Sequence, residues 1–298
     1  MPGLKEVRIR IASVKSTQQI TNAMKMVAAS KLRKAQTAIV KLRPYAAKLK
    51  EIMQNLSSSM NDSNDSVYTR ERNPENILLI VITSNRGLCG GFNSNIIKAT
   101  LNLLSTTYAG QQQKGDVSLI TIGRKGSEYF RKRGFKVLES HDNLFDGLTF
   151  ENISPLADQL MKAFAETKYD RIQIVYNQFK NAAVQRLVIE QYLPILPLVP
   201  DPKTPVEKHV MKANYIFEPD QETIIQLLIP KSLRIQLYKS ILDSFASEQG
   251  ARMTAMQQAT DNARELLRAL QISYNKARQQ SITKELLEIV AGAEALKG

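Results

Sequence analysis

The chain has 298 residues, no Trp, one Cys and a formal net charge of +13, a length that holds two ordinary domains or one elongated one. The single cysteine, Cys89, excludes an intramolecular disulfide and a multi-cysteine zinc site, and a reducing compartment is its natural reading. No run approaches the ~18 apolar residues that a bilayer crossing requires; the clearest, residues 77–82, is far shorter.

Charges alternate at Lys5, Glu6, Arg8 and Arg10, so the start of the chain lacks the apolar core of a secretory signal. Stepping 3, 4, 3, 4 from Leu4 to Leu56 lands on sixteen positions, of which thirteen are apolar or alanine. The exceptions are Gln18, Thr21 and Lys25, beside a shifted stripe of Ile20, Met24 and Val27. A repeat of 3.5 sustained this long predicts a left-handed coiled coil. A helix over 4–56 would be about 80 Å long, with a kink expected at Pro44. Residues 1–56 carry twelve Lys and Arg against Glu6 and Glu51, so 12 − 2 leaves +10 on this helix. That charge permits nucleic acid, an anionic membrane or an acidic protein as partner, or a merely solvated face.

A Ser-, Asn- and Asp-rich stretch opens a linker over 59–75, and period then alternates through 76–206. Strand patterns fall at 77–83, 117–122, 135–138, 171–179 and 184–192, the last expected at an edge and antiparallel to its predecessor. Helical spacing fills 95–104, 125–133 and 156–164. The alternation predicts an open, mostly parallel, Rossmann-like α/β sheet inserted between the terminal helices. Prolines at 194, 197, 200, 202 and 205 close this block, and a connector spans 207–229.

Pro230 suits the first position of a helix running over 230–298. From Ile235 the same step gives thirteen positions to Ala277, ten of them apolar or alanine, with breaks at Gln249, Arg252 and Ser273. Polar breaks in both seams fit either register specification or local loosening. The two terminal helices are each other's obvious antiparallel partner, and residues past about 277 should outrun the N-terminus. In that tip Ile282, Leu286, Leu287, Ile289, Val290, Ala291, Ala293 and Leu296 cover most of the circumference. A lone helix apolar nearly all round is unstable in water, so the tip demands an enclosing partner.

Chemistry-bearing motifs are sparse. Gly87-Leu88-Cys89-Gly90-Gly91 follows the first strand, where α/β proteins bind phosphate, but fits neither dinucleotide nor P-loop spacing. Gly123-Arg124-Lys125-Gly126 fails the same tests. His141 and His209 stand in loops without a paired nucleophile or carboxylate motif, and Cys89 reads as a small core residue. No catalytic residue, metal set or cofactor is expected. A basic coiled-coil nucleic-acid protein and a dinucleotide-dependent enzyme remain as alternative readings of these patterns.

Residues 23–34 (AMKMVAASKLRK) followed by Arg43-Pro44-Tyr45 resemble the N-terminal helix of the gamma subunits of F-type ATP synthases. Residues 86–93 (RGLCGGFN) resemble that family's first βα turn, and residues 247–253, 274–278 and 282–295 its C-terminal helix. The resemblance spans the whole chain. It implies a central rotor shaft, one copy per complex, within a ring of three alpha and three beta subunits. It also implies contacts with an epsilon subunit and a membrane c ring, and a peripheral place on the cytoplasmic face of a bacterial inner membrane. Nucleic acid is not among the implied partners, and the membrane is reached only through the c ring.

Carried onto matching positions, the resemblance implies that Met24 and Lys25 meet a beta lever and that Arg278 and Gln279 hydrogen-bond a beta catch loop. Ile282, Leu286, Leu287, Ile289, Val290 and Ala293 would turn in an apolar sleeve. Tyr215, Phe217, Glu218 and Cys89 would lie at the foot, against the c ring and epsilon; Phe217 stands where some relatives carry Tyr.

Overall fold

The computed structural model of the chain describes residues 4–58, 67–182, 184–195 and 221–295. They fall into two compact units, Met1–Ala29 with Arg252–Gly298 and Ser30–Ala251. Helices α1 (Leu4–Ser58) and α6 (Gln221–Ala295) each run through both units. Packing thus cuts across the boundaries expected from element type: α1 from Ser30 and α6 as far as Ala251 belong with the sheet.

The larger unit is built on five strands, β1 (Ile77–Ile82), β2 (Val117–Ile122), β3 (Val137–Ser140), β4 (Arg171–Phe179) and β5 (Gln185–Leu193). Their order is β3-β2-β1-β4-β5, with β5 antiparallel to β4 at the edge and the other pairings parallel. All six residues of β1 are buried. Its alternation sends Leu78, Ile80 and Ile82 to a core shared with α5 (Phe150–Ala165) and α6, and Ile77, Leu79 and Val81 to one shared with α2 (Phe92–Thr106). Burial on both faces is why this strand is a continuous apolar run.

Several boundaries differ from the sequence expectation. Strand β3 starts two residues late, because Phe135 turns inward and meets Phe130 edge-on, ring centres 5.5 Å apart. Helix α5 starts at Phe150 because Thr149 caps it, its Oγ1 accepting the Asn152 amide at 3.4 Å. Pro155 then falls inside α5, as Pro230 falls inside α6, which begins at Gln221 rather than at the proline. The carbonyls deprived of an amide partner, on Glu151 and Gln226, belong to exposed residues where water can serve. A short helix α3 (Ala109–Lys114) and a 3₁₀ turn (Asp142–Phe145) were not expected; α4 (Arg124–Lys132) was.

The heptad reading of α1 holds: every described position in step from Leu4 to Leu49 is buried or half-buried. That of α6 needs two corrections. Ser240–Ala251 is buried all round, with only Phe245 half-exposed, so it is an enclosed helix and not one strand of a two-helix seam. Beyond Met256 the buried line passes through Thr260, Ala263, Leu267, Leu270, Tyr274 and Ala277, whereas Leu266 and Ser273 are exposed. Two consecutive four-residue steps, Arg252 to Met256 to Thr260, insert a stutter that shifts the phase by one residue.

The smaller unit is the antiparallel pairing of α1 with α6. Arg8 Nη2 donates to Tyr274 Oη at 2.9 Å, Thr21 and Thr260 hydroxyls meet at 2.8 Å, and Lys25 Nζ donates to Gln257 Oε1 at 3.0 Å.

Candidate partner-binding surfaces

At the carboxyl end of β1, where a doubly wound sheet would bind phosphate, the polar groups are used internally. The first amides of α4 are taken by the loop after β1. Arg124 N donates to Asn85 Oδ1 at 3.0 Å, Lys125 N to Ser84 O at 3.0 Å and Gly126 N to Thr83 Oγ1 at 2.9 Å. Asn93, on α2, accepts from Ser84 N and donates to Ser84 Oγ and to Cys89 Sγ. The crevice beyond β4 is filled by α6. A Cβ on Gly250 would lie 3.2 Å from Ala182 O, and Ala251 joins the core that holds Cys89 and Phe92. Cys89 is buried, so its enclosed thiol leaves no surface for the foot contact expected of it.

One expectation about histidine is corrected: His141 Nε2 sits 2.9 Å from Glu139 Oε2. Glu139 also accepts from Gln159 at 2.7 Å, on the wall of a cleft of about 280 Å³ between α5 and β3. The other carboxylate of that cleft, Glu166, is paired with Lys168 at 2.8 Å, which draws it below the ordinary Glu range. Among the described residues no group of three or more His, Cys, Asp or Glu could hold a metal ion. His209, Tyr215, Phe217 and Glu218 lie outside the described residues.

The surfaces that remain are on α1 and α6. Met24 and Lys25 are half-buried beside the seam, Lys25 held by Gln257. The other described lysines and arginines of α1 are exposed, so its solvent face is strongly basic. Arg278 and Gln279 are exposed one turn past Tyr274. They are not brought together with Met24 and Lys25: Lys25 pairs with Gln257, about 30 Å away along α6 at 1.5 Å per residue. From Ile282 to Ala295 every residue is exposed, with Ile282, Leu286, Leu287, Ile289 and Val290 at 48–68 %. The wrong phase on α6 hid Tyr274 and Thr260 as contact residues, and Arg8 was missed because it stands exposed beside the α1 seam. No helix among the described residues is long and apolar enough to cross a membrane.

An open α/β sheet that lies in the sequence between two terminal helices, whose outer parts pair antiparallel and of which one ends in a bare apolar turn, defines the class as the central-stalk fold of rotary ATP synthases. The rotor of the Euglena gracilis mitochondrial ATP synthase has the same fold, with a TM-score of 0.66 at 21% identity over 94% of this chain and 98% of that one. The central stalk and c-ring structure from Tetrahymena thermophila gives 0.57 at 24% identity, covering 80% of this chain and 99% of that one. The family model described as ATP synthase matches residues 3–296. The ATP synthase gamma chain of Flavobacterium johnsoniae is 54% identical over 298 residues, and that of Chlorobaculum tepidum 48% over 297, each covering 100% of both chains. The chain belongs to the ATP synthase family, among its gamma chains.

Proposed function

We propose that the chain is the central-stalk subunit of a bacterial F-type ATP synthase, carrying rotation of a membrane c ring to an alpha3-beta3 catalytic ring without a catalytic site of its own. The observation that carries this reading is the bare apolar turn of α6. Five branched side chains stand exposed there, each worth ~1.5–3 kcal/mol on burial. A chain that leaves them in water keeps them for an enclosing partner, and an apolar sleeve at the top of the ring is that partner. A nucleic-acid backbone would suit the basic face of α1 but gives the apolar turn no role.

In this reading the basic face of α1 meets acidic lever loops on beta, with Met24 and Lys25 at the contact. Arg278 and Gln279, exposed and free to rotate toward a loop, reach a beta catch loop, and Ala293 shares the sleeve with the larger tip residues. The shaft's angle then biases each beta subunit among its states, as a ligand biases a bistable element. The foot contacts with epsilon and the c ring fall to the segment around Tyr215, Phe217 and Glu218. The subunit sits peripherally on the cytoplasmic face, bound to the membrane only through the c ring.

Met24→Lys tests the assignment. A second ammonium beside Lys25 would enter a packed contact, where an unpaired charge costs several kcal/mol. Proton pumping per ATP hydrolysed in inverted vesicles is expected to fall by about half or more, with hydrolysis retained. A ratio equal to that of the unmodified complex would remove Met24 from the coupling surface.

A further inference from the structure

The buried centre of the smaller unit is polar. Thr21 and Thr260 face each other across the helix pair, 9 % and 3 % exposed, with their hydroxyl oxygens 2.8 Å apart. Each hydroxyl also reaches a carbonyl of its own helix: Thr21 Oγ1 lies 3.0 Å from Gln18 O, and Thr260 Oγ1 lies 2.7 Å from Met256 O. Two hydroxyls carry two hydrogens. They can make only two of these three bonds at once.

When the bond across the pair forms, one hydroxyl gives up the bond to its own helix; when it breaks, that bond returns. The number of donated hydrogen bonds is two either way. Parting the helices here strands no buried donor, the outcome that makes most buried polar contacts rigid. Hydroxyl bonds to the preceding turn also favour slight bending of a helix.

The surroundings add little restraint. Val7, Ala28, Met256 and Ala263 are the fully buried apolar residues among the described part of this unit, and two of the four are alanine. The flanking contacts, Arg8 to Tyr274 and Lys25 to Gln257, are exposed and therefore weak. Few buried apolar contacts and solvent-exposed polar ones are the physical marks of a segment that opens easily.

We propose that the Thr21–Thr260 pair is a yielding joint in the helix pair, a point at which α1 and α6 twist or separate without leaving a buried donor unpaired. This goes beyond the role of the subunit: it assigns local compliance to two named residues. The opposite idea, that the hydroxyl bond locks the helices in register, makes the contrary prediction.

Hydrogen exchange of the full chain distinguishes them. Thr21→Val with Thr260→Val keeps the side-chain shape and replaces two hydroxyls by methyls that pack. Amides over 15–29 and 252–266 are expected to exchange roughly three- to tenfold more slowly in this variant. Unchanged or faster exchange would overturn the proposal, faster exchange being the signature of a lost lock. Thr21→Ser with Thr260→Ser, which keeps both hydroxyls, is expected to exchange at least as fast as the unmodified chain. A slowing equal to that of the valine pair would overturn the proposal as well.

Discussion

Replacing Asp243 by Asn is expected to stabilise the sheet-bearing unit by about 1–3 kcal/mol near pH 8 and to leave it nearly unchanged near pH 4. Asp243 lies on the enclosed stretch of α6 and is 3 % exposed. Burial pushes its carboxyl up to about 6; Lys239 and Arg43 oppose this, and Glu190 adds to it. Glu190 is itself held by the Tyr176 hydroxyl at 2.9 Å and by Gln236 Nε2 at 2.8 Å. The folded state therefore holds a proton on Asp243 at pH values where the unfolded chain has released it. Below the ordinary Asp value both states are protonated and the group contributes no difference. Between the ordinary Asp value and about 6 only the unfolded chain has lost the proton, so stability falls across that window and levels off above it, where the folded state too carries the buried charge. A two-unit difference corresponds to about 3 kcal/mol, reduced by what a buried amide costs without partners. Denaturant midpoints of both forms across this range check it. A variant less stable than the parent near pH 8 would show that Arg43 and Lys239 hold the ionised carboxylate favourably.

Gly123→Ala is expected to cost the same unit about 3–5 kcal/mol. Gly123 has φ +104 at the turn between β2 and α4. A Cβ there would lie 2.2 Å from the carbonyl oxygen of Thr83 and 2.7 Å from its carbonyl carbon. Those atoms directly follow β1, the most buried strand, and the Thr83 hydroxyl fixes the start of α4 through Gly126. Relief requires moving backbone on both sides. Gly134→Ala is the control: its φ is +76 with nothing within 4 Å of the added carbon, so only the conformational cost of about 1 kcal/mol remains. Equal midpoints for the two variants would remove the clash as the cause.

What the sequence made legible follows from how unambiguous each stretch is. On α1 one apolar line keeps its phase from Leu4 to Leu49 and is the buried line, while Ile20 and Val27 of the shifted stripe stay exposed. The run at β1 reads as a strand because both faces are covered, and β4 opens on an alternation that buries Ile172 and Ile174 between half-buried Arg171 and Gln173. On α6 the phase past Met256 was illegible. Alanines at 255, 259 and 263 and the doublet Leu266-Leu267 offer the pattern two equal choices, and packing selects Thr260 and Leu267. The enclosed stretch Ser240–Ala251 was misread because its serines, Asp243, Glu248 and Gln249 look like a solvated face; small side chains there admit close approach of the sheet instead. As for the surfaces, the apolar tip was readable from composition alone. The Thr21–Thr260 pair was not, since its meaning lies in geometry that brings together residues 239 apart in the chain.

Co-purification is the most direct measurement. The tagged full chain, expressed with the alpha and beta subunits, is expected to carry down a nucleotide-binding hexamer. The triple variant Leu286→Lys, Ile289→Lys and Val290→Lys is expected to lose most of it, with helix content by circular dichroism unchanged, because lysines cannot be housed in an apolar sleeve. Equal recovery of the hexamer by the lysine variant would mean that the bare turn of α6 is not what the ring encloses, and the account would fail at its centre.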